Sequence, residues 1–482
     1  MKISIENFKS IKNLPRYEIK PLTILSGVNS SGKSSFIQLL LLFKQTIDLD
    51  SAKHQLYLNG DLYYVKRYQD ILTGKKLDNK LKVILEFSKD EILKHNSEYR
   101  TRIFDRLDNF SLKIEINYDY INDAIKIPEF NITYLLPEGD KREQFISFAS
   151  DFNQEGKYKI NANNALYGTD LWDSNIEVFD IGFSSIYPNS YETREISSQP
   201  NPKKDEPDIV DVIKTKHFPK IDAVKDLINS TFNRMSYIGP LRDLPRDEYA
   251  VSSIKNYVGK TGENTAQILE NFAKDEISYL KPTISEDGIV YSQNTSILID
   301  AVKYWMCDVF KIGRNIYAKK ESEFYTIILE NDAGIETTIK HVGFGISQLL
   351  PIIVQGLLMD ENGTLILEQP EIHLHPKIQS LLFDFLYSLV LQGKTVILET
   401  HSDHFIARMR RRIAENKDNS MTEKINLTFM ESEGGEVMFG TIDLDDFGSL
   451  DYFPTDFIEQ ANLEMKAIIK AQMKKRSQKK SL

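Results

Sequence analysis

The chain opens on an alternation, with Ile3, Ile5 and Phe8 apolar among polar neighbours, and a second apolar run, Leu22 to Leu25, stops at Ser26-Gly27. Such short runs predict strands, because successive side chains of a strand point to opposite faces of a sheet. From Lys33 to about Thr46 the spacing becomes that of a helix. Tyr- and Ile-rich alternation from about Leu81 to Tyr187, in segments such as FSLKIEINYDY and IPEFNITYL, predicts an inserted antiparallel β unit. Residues 188–208 are rich in proline and charge and read as a mobile loop or linker. Helical spacing follows at Asp222 to Phe232, Asn264 to Tyr279 and Ile297 to Phe310, then a strand at Phe324 to Asn331. From Gly343 helix and strand alternate, with strands at Thr364 to Glu368 and Thr395 to Thr400 and helices at Lys377 to Leu391 and Asp403 to Ile413. Sustained heptads are absent, which excludes a long coiled coil.

At 482 residues and 41% hydrophobic content the chain has enough apolar material for a large core. Its one cysteine, Cys307, excludes an internal disulfide framework, and the Tyr-Trp-Met-Cys context reads as a buried thiol. The N-terminus lacks the apolar core of a signal peptide, and the most apolar run, Ile37 to Phe43, is too short to cross a bilayer, so a cytoplasmic protein without a membrane partner is expected. A formal charge of −10 argues against coating nucleic acid through overall charge. Two basic patches stay open as solvated faces or as contacts: Arg408, Arg410, Arg411 and Arg412, and the tail Lys474, Lys475, Arg476, Lys479 and Lys480.

Gly27-Val28-Asn29-Ser30-Ser31-Gly32-Lys33-Ser34 fits GxxxxGK[ST] between a strand and a helix. In that setting backbone N–H groups turn toward phosphate oxygens, the helix N-terminus adds partial positive charge, Lys33 reaches the β- and γ-phosphates and Ser34 binds Mg²⁺. With Asn29, Ser30, Ser31 and Ser35, the wording NFKSI…PLTILSGVNSSGKSS resembles the N-terminal half of the RecF, SMC and OLD group of ABC-type ATPases. The resemblance implies an α/β fold, an ABC-type P-loop ATPase head split by an inserted, largely antiparallel β plus helical region. It also implies ATP and Mg²⁺ as cofactors, a homodimer or higher oligomer that sandwiches ATP, and DNA or a nuclease as partner.

Three further pieces of that group follow in order. HVGFGISQLLP resembles the signature element, with Gly343, Gly345 and Ser347 expected to cover the γ-phosphate of a partner head. LILEQPEIHLHP resembles the Walker B strand and its loop, with Glu368 at the Mg²⁺-organising acid and Gln369 at the usual catalytic glutamate. KTVILETHSDHF brings His401 to the place of the switch histidine. A carboxamide cannot take a proton from water, so the motif implies slow hydrolysis unless Glu371 supplies the base. Gln69 in VKRYQDIL is read as a Q-loop residue contributing to the metal site. His373, His375, His401, His404, Glu371 and Asp403 leave a transition-metal cluster open as an alternative to Mg²⁺. Arg242 and Arg246, in YIGPLRDLPRDEY, are either salt-bridged connector residues or arginines near the phosphates or the dimer seam.

The expected organisation is an N-terminal half-head (1–80), an inserted β-rich region with linker (81–235), a helical connector (236–342), a C-terminal half-head (343–425) and a small C-terminal domain (426–482). That last segment resembles a domain of unknown function carried by ATPases of bacterial anti-phage systems such as the PtuA component of Septu, which work with a separate nuclease. No clustered acids of a built-in nuclease follow the core.

Overall fold

A computed structural model describes residues 1–28, 31–51, 54–94, 111–121, 124–135, 144–150, 158–162, 176–184, 186–199, 208–215, 219–250, 256–285, 288–416, 420–434 and 436–451. Asn29, Ser30, residues 200–207 of the expected linker and the basic tail lie outside this set. The contacts divide the chain into two units, one of Met1–Ile19, Ser34–Tyr237 and 362–364, the other of Lys20–Lys33, Ile238–Glu361 and Leu365–Leu482.

The first unit holds a seven-stranded sheet in the order Ile11–Glu18, Lys2–Phe8, Leu81–Ser88, Ser111–Ile121, Ala124–Leu135, Gln144–Ser150 and Tyr158–Ala162, antiparallel throughout. Alternation explains it: Leu112, Ile114, Ile116 and Tyr118 are fully buried on one face of their strand. The expected antiparallel insertion is therefore present, but the division at residue 80 runs through a single sheet, because Lys2–Phe8 pairs directly with Leu81–Ser88. The linker expectation is corrected over part of its length. Tyr187–Gln199 is a strand between Ile176–Ser184 and Asp208–Thr215, its backbone groups taken up on both sides.

The second unit carries the α/β core. Its strands run in the order Thr364–Glu368, Thr395–Glu399, Leu22–Gly27, Ile425–Glu433 and Glu436–Ile442. Leu22–Gly27 is parallel to both neighbours. All six of its residues are buried, as suits a strand covered on both faces. Ile425–Glu433 and Glu436–Ile442 form a hairpin inside this sheet, so the start of the expected C-terminal domain pairs with Leu22–Gly27 across the division expected at residue 425. Helices Phe344–Leu358, Pro376–Leu391 and Asp403–Glu415 follow the expected alternation. Pro376 is at the helix start, where its missing N–H costs nothing, and the Ser402 hydroxyl accepts the Phe405 N–H at 3.1 Å.

The 236–342 stretch is only partly helical. The helix expected over Asn264 to Tyr279 ends at Asn271, and Glu276–Ser285 instead pairs with Gly288–Ile297 along its length. Leu298–Lys303 continues into a π turn at Tyr304–Val309. There Trp305 packs edge-on to Phe385 at 4.9 Å. Cys307 is buried in this core, and burial pushes its thiol up to about 11, as the buried-thiol reading expects.

The arginine cluster is structural. Asp384 is fully buried and accepts from Arg408 (3.0 and 2.7 Å) and Arg412 (2.8 and 2.9 Å). Arg411 and Arg412 also pair with Glu415, and Arg410 donates to the Gly448 carbonyl. Removing Asp384 would take the carboxylate from Arg408 and leave Arg412 with Glu415 alone. Asp384→Ala is expected to cost about 3–5 kcal/mol and Arg411→Ala less than about 1 kcal/mol, read by urea unfolding.

Candidate active site

The site is built from the ends of adjacent strands in the second unit. Leu22–Gly27 leads into the phosphate loop, whose first glycine is fixed by packing as well as by chemistry. Gly27 has φ 138°, and a Cβ there would lie 2.2 Å from the Met430 carbonyl oxygen of the paired strand. Ser31 is buried, Gly32 takes φ 92°, and Lys33 starts the helix Lys33–Leu49. The Lys33 ammonium folds back onto the loop, donating to the carbonyls of Gly27 (3.0 Å) and Val28 (2.6 Å) and facing the Ser31 hydroxyl at 3.4 Å. Burial lowers its pKa, and the negative charge of Glu399 opposes that. Among the described residues this buried cation meets neutral oxygens and the field of one carboxylate, a setting suited to a phosphate. Ser35, in the first unit, shares a 3.2 Å hydrogen bond with Ser10.

Glu399 was not singled out by sequence reasoning, though a signal was there. TLILE (364–368) and TVILE (395–399) are near-copies that end in a carboxylate, with the same burial along both strands. Glu368 and Glu399 thus occupy equivalent ends, both buried. The Gln369 N–H donates to the Glu399 carbonyl at 2.8 Å. Gln369 itself is left-handed, with φ 45°, a conformation that costs a non-glycine residue about 1 kcal/mol or more. Arg242, 6% exposed, reaches the carbonyls of Glu368 (3.3 Å) and Gln369 (3.4 Å), whereas Arg246 pairs with Asp243 at 3.0 Å. The salt-bridged connector reading fits Arg246, while Arg242 is held on the backbone after the Thr364–Glu368 strand.

The Glu371 carboxylate accepts the His401 backbone N–H at 2.6 Å through Oε1, while its buried Oε2 has no hydrogen-bond partner among the described residues. Burial raises its pKa, against the pull of the His401 N–H, the Thr400 hydroxyl and the charge of Arg242. His401 is held toward the neutral form by burial and by the charge of Lys33. Lys33, Glu399, Gln369, Glu371, His401 and Arg242 are thus linked by these bonds and fields. The signature element joins them from the other side of the loop. Phe344 meets the His373 ring edge-on at 4.7 Å, and a Cβ on Gly345 would stand 2.7 Å from the His373 carbonyl. The Ser347 hydroxyl donates to the Phe344 carbonyl at 2.7 Å.

Gln69, in a short helical turn of the first unit, has its amide beside the Arg67 guanidinium. Among the described residues no group of three or more His, Cys, Asp and Glu is placed to hold an ion. His375 instead caps Pro376–Leu391, its Nδ1 accepting the Lys377 N–H.

Strand, glycine loop, buried lysine and the carboxylates on neighbouring strand ends define a P-loop ATPase of α/β type, with its motifs in the order of the ABC class. The chain belongs to the family described as the AAA ATPase domain, whose model matches residues 1–406. No curated protein matches in sequence. Among solved structures, an SMC head bound to the C-winged helix domain of ScpA is similar at 10% identity and a TM-score of 0.40, over 92% of this chain and 98% of that one. The SMC head domain from Thermotoga maritima is similar at 9% and 0.36, over 92% and 98%. A Pyrococcus furiosus Smc head with an extended coiled coil, bound to the C-terminal domain of ScpA, is similar at 9% and 0.40, over 92% and 96%. At these scores the likeness carries nothing beyond itself. No helix among the described residues is long and apolar enough to cross a membrane.

Because the signature turn packs against backbone at Gly345, Gly345→Ala is expected to cost about 1–3 kcal/mol in urea unfolding. Gly343→Ala, with nothing within 4 Å of its Cβ position, is expected to cost less than about 1 kcal/mol.

Proposed function

We propose that the chain binds Mg-ATP and hydrolyses it slowly, that two copies sandwich two nucleotides, and that the closed dimer controls a separate partner, a nuclease in bacterial anti-phage defence. The observation that carries the catalytic part is Glu371: a half-buried carboxylate whose Oε1 accepts the His401 N–H and whose buried Oε2 has no hydrogen-bond partner among the described residues. In this reading Glu371 takes the proton of the attacking water, Gln369 orients that water through its carboxamide, and His401 faces the γ-phosphate. Lys33 exchanges its loop carbonyls for the β- and γ-phosphates, and Asn29 and Ser30 are assigned to the same phosphates by their place in the motif. Ser34 and Glu368, with Gln69, are assigned to Mg²⁺, which when bound would offset charge on the phosphate oxygens.

The dimer reading is supported by the signature helix. Its N-terminus has no side-chain cap, and the space around Gly343 is open, so its first amides are suited to another head's phosphate. The partner and the defence role rest on the EQPE wording and the resemblance to PtuA. A second reading, a nucleotide-gated scaffold with negligible turnover, is favoured by Gln369 in place of a base. A third, a DNA-repair or chromosome clamp, requires ATP-dependent DNA binding that weakens steeply with salt.

ATP turnover separates the first two. Lys33→Ala is expected to abolish it, Glu371→Gln to lower it roughly 10²-fold or more, and Gln369→Glu to raise it about 10-fold. Turnover no higher than that of Lys33→Ala sinks the enzyme reading in favour of the scaffold. A base must be ionised, so turnover should fall as pH drops through the Glu371 pKa, at a higher pH than for an ordinary carboxylate. Light scattering of Glu371→Gln with ATP should show twice the mass of the ATP-free chain.

A further inference from the structure

We propose that Arg242 is a positioning residue that clamps the left-handed turn presenting Gln369 and Glu371 to the nucleotide. The proposal rests on the assignment of Glu371 as base, and it goes beyond that assignment by naming what holds the base in place.

The clamp is visible in the backbone. Gln369 is the residue held at φ 45°, and its flanking peptide groups are fixed from two directions. Its N–H is bonded to the Glu399 carbonyl, on the neighbouring strand. On its other side, Nη2 of Arg242 is shared between the carbonyls of Glu368 and Gln369. A turn of this kind persists only where its surroundings over-determine it. Arg242 is nearly fully buried and belongs to no helix or strand, so its position must itself be fixed.

That fixing comes from a second loop. The Gly239 N–H donates to the Lys260 carbonyl and the Asp243 N–H to the Thr261 carbonyl, both at 2.8 Å, which straps the arginine between two bonds. The next residue of that loop, Gly262, lies against Pro351 of the signature helix, with 2.6 Å between the proline Cγ and the position of a glycine Cβ. A chain of contacts therefore runs from the signature helix through 259–263 and Arg242 to the turn at Gln369. Arg242 also sets a positive charge near Glu371 that favours its ionised form, beside the His401 N–H and the Thr400 hydroxyl.

The test is steady-state ATP hydrolysis by the full chain as a function of pH. Arg242→Met should lower kcat about 10- to 100-fold with the KM for ATP changed less than about 3-fold, and should move the acid limb of the kcat profile to higher pH, since a nearby cation favours the carboxylate. Arg242→Lys keeps the charge without the two-carbonyl reach, so the acid limb should stay near that of the unaltered chain while kcat recovers only in part. Arg246→Ala, which alters only the exposed neighbouring pair, should match the unaltered chain. Folded Arg242→Met with unaltered kcat and pH profile overturns the clamp, as does a rise in KM alone, which would make Arg242 a nucleotide contact. Should Arg242→Met not fold, Arg242→Lys with full kcat overturns it equally. Full turnover in Glu371→Gln defeats the base assignment instead, whereas loss in Glu371→Gln beside unaltered Arg242→Met defeats only the clamp.

Discussion

The site depends on the parallel pairing of Leu22–Gly27 with Thr395–Glu399 on one side and Ile425–Glu433 on the other. Parallel strands end at the same edge of a sheet, so the loops that follow them converge there, and ligands of open α/β sheets bind at that edge. The pairing also constrains the motif residue by residue. Gly27 sits so close to the Met430 carbonyl that no side chain fits, so the first glycine of the phosphate loop is required by the sheet whether or not a phosphate is bound.

Buried charge is used in two ways in the same unit. At Asp384 each carboxylate oxygen is taken up by arginine, and the result is a closed network that joins two helices. Around Lys33 the accounting is left incomplete. A lysine bonded to its own loop, a carboxylate with one orphaned oxygen and a histidine held toward neutrality all lie within one set of interactions. Buried polar groups are ordinarily paired, and Glu371 Oε2 is one of the exceptions among the described residues. The strained turn at Gln369 belongs to the same set, held by its neighbours rather than by its own preference.

Much of this architecture was legible in the chain. The strands at Leu22, Thr364 and Thr395, and the helices after them, lie within a few residues of where apolar spacing puts them. The failures share a cause. Asn264 to Tyr279 has helical spacing, yet from Glu276 onward pairing with Gly288–Ile297 overrides it. The divisions at 80 and 425 were placed where the pattern changed, but sheets recruit strands from both sides of each. Tyr187–Gln199 looked like linker because its composition is polar, and a strand with partners on both sides tolerates that.

The sequence by itself determined the glycine loop before Lys33, the order of strands and helices after Gly343 and the carboxamide of Gln369 next to Glu368, because each is written in residues a few positions apart. Only the tertiary structure decided that Arg242 reaches Glu368 from 126 residues away, that Glu399 faces Lys33, and that Gln369 is held left-handed between them. Periodicity reports what one residue does relative to its near neighbours. Which strand end lies beside which, and so which buried charge meets which, is set by pairing between distant segments, and local spacing does not carry that information.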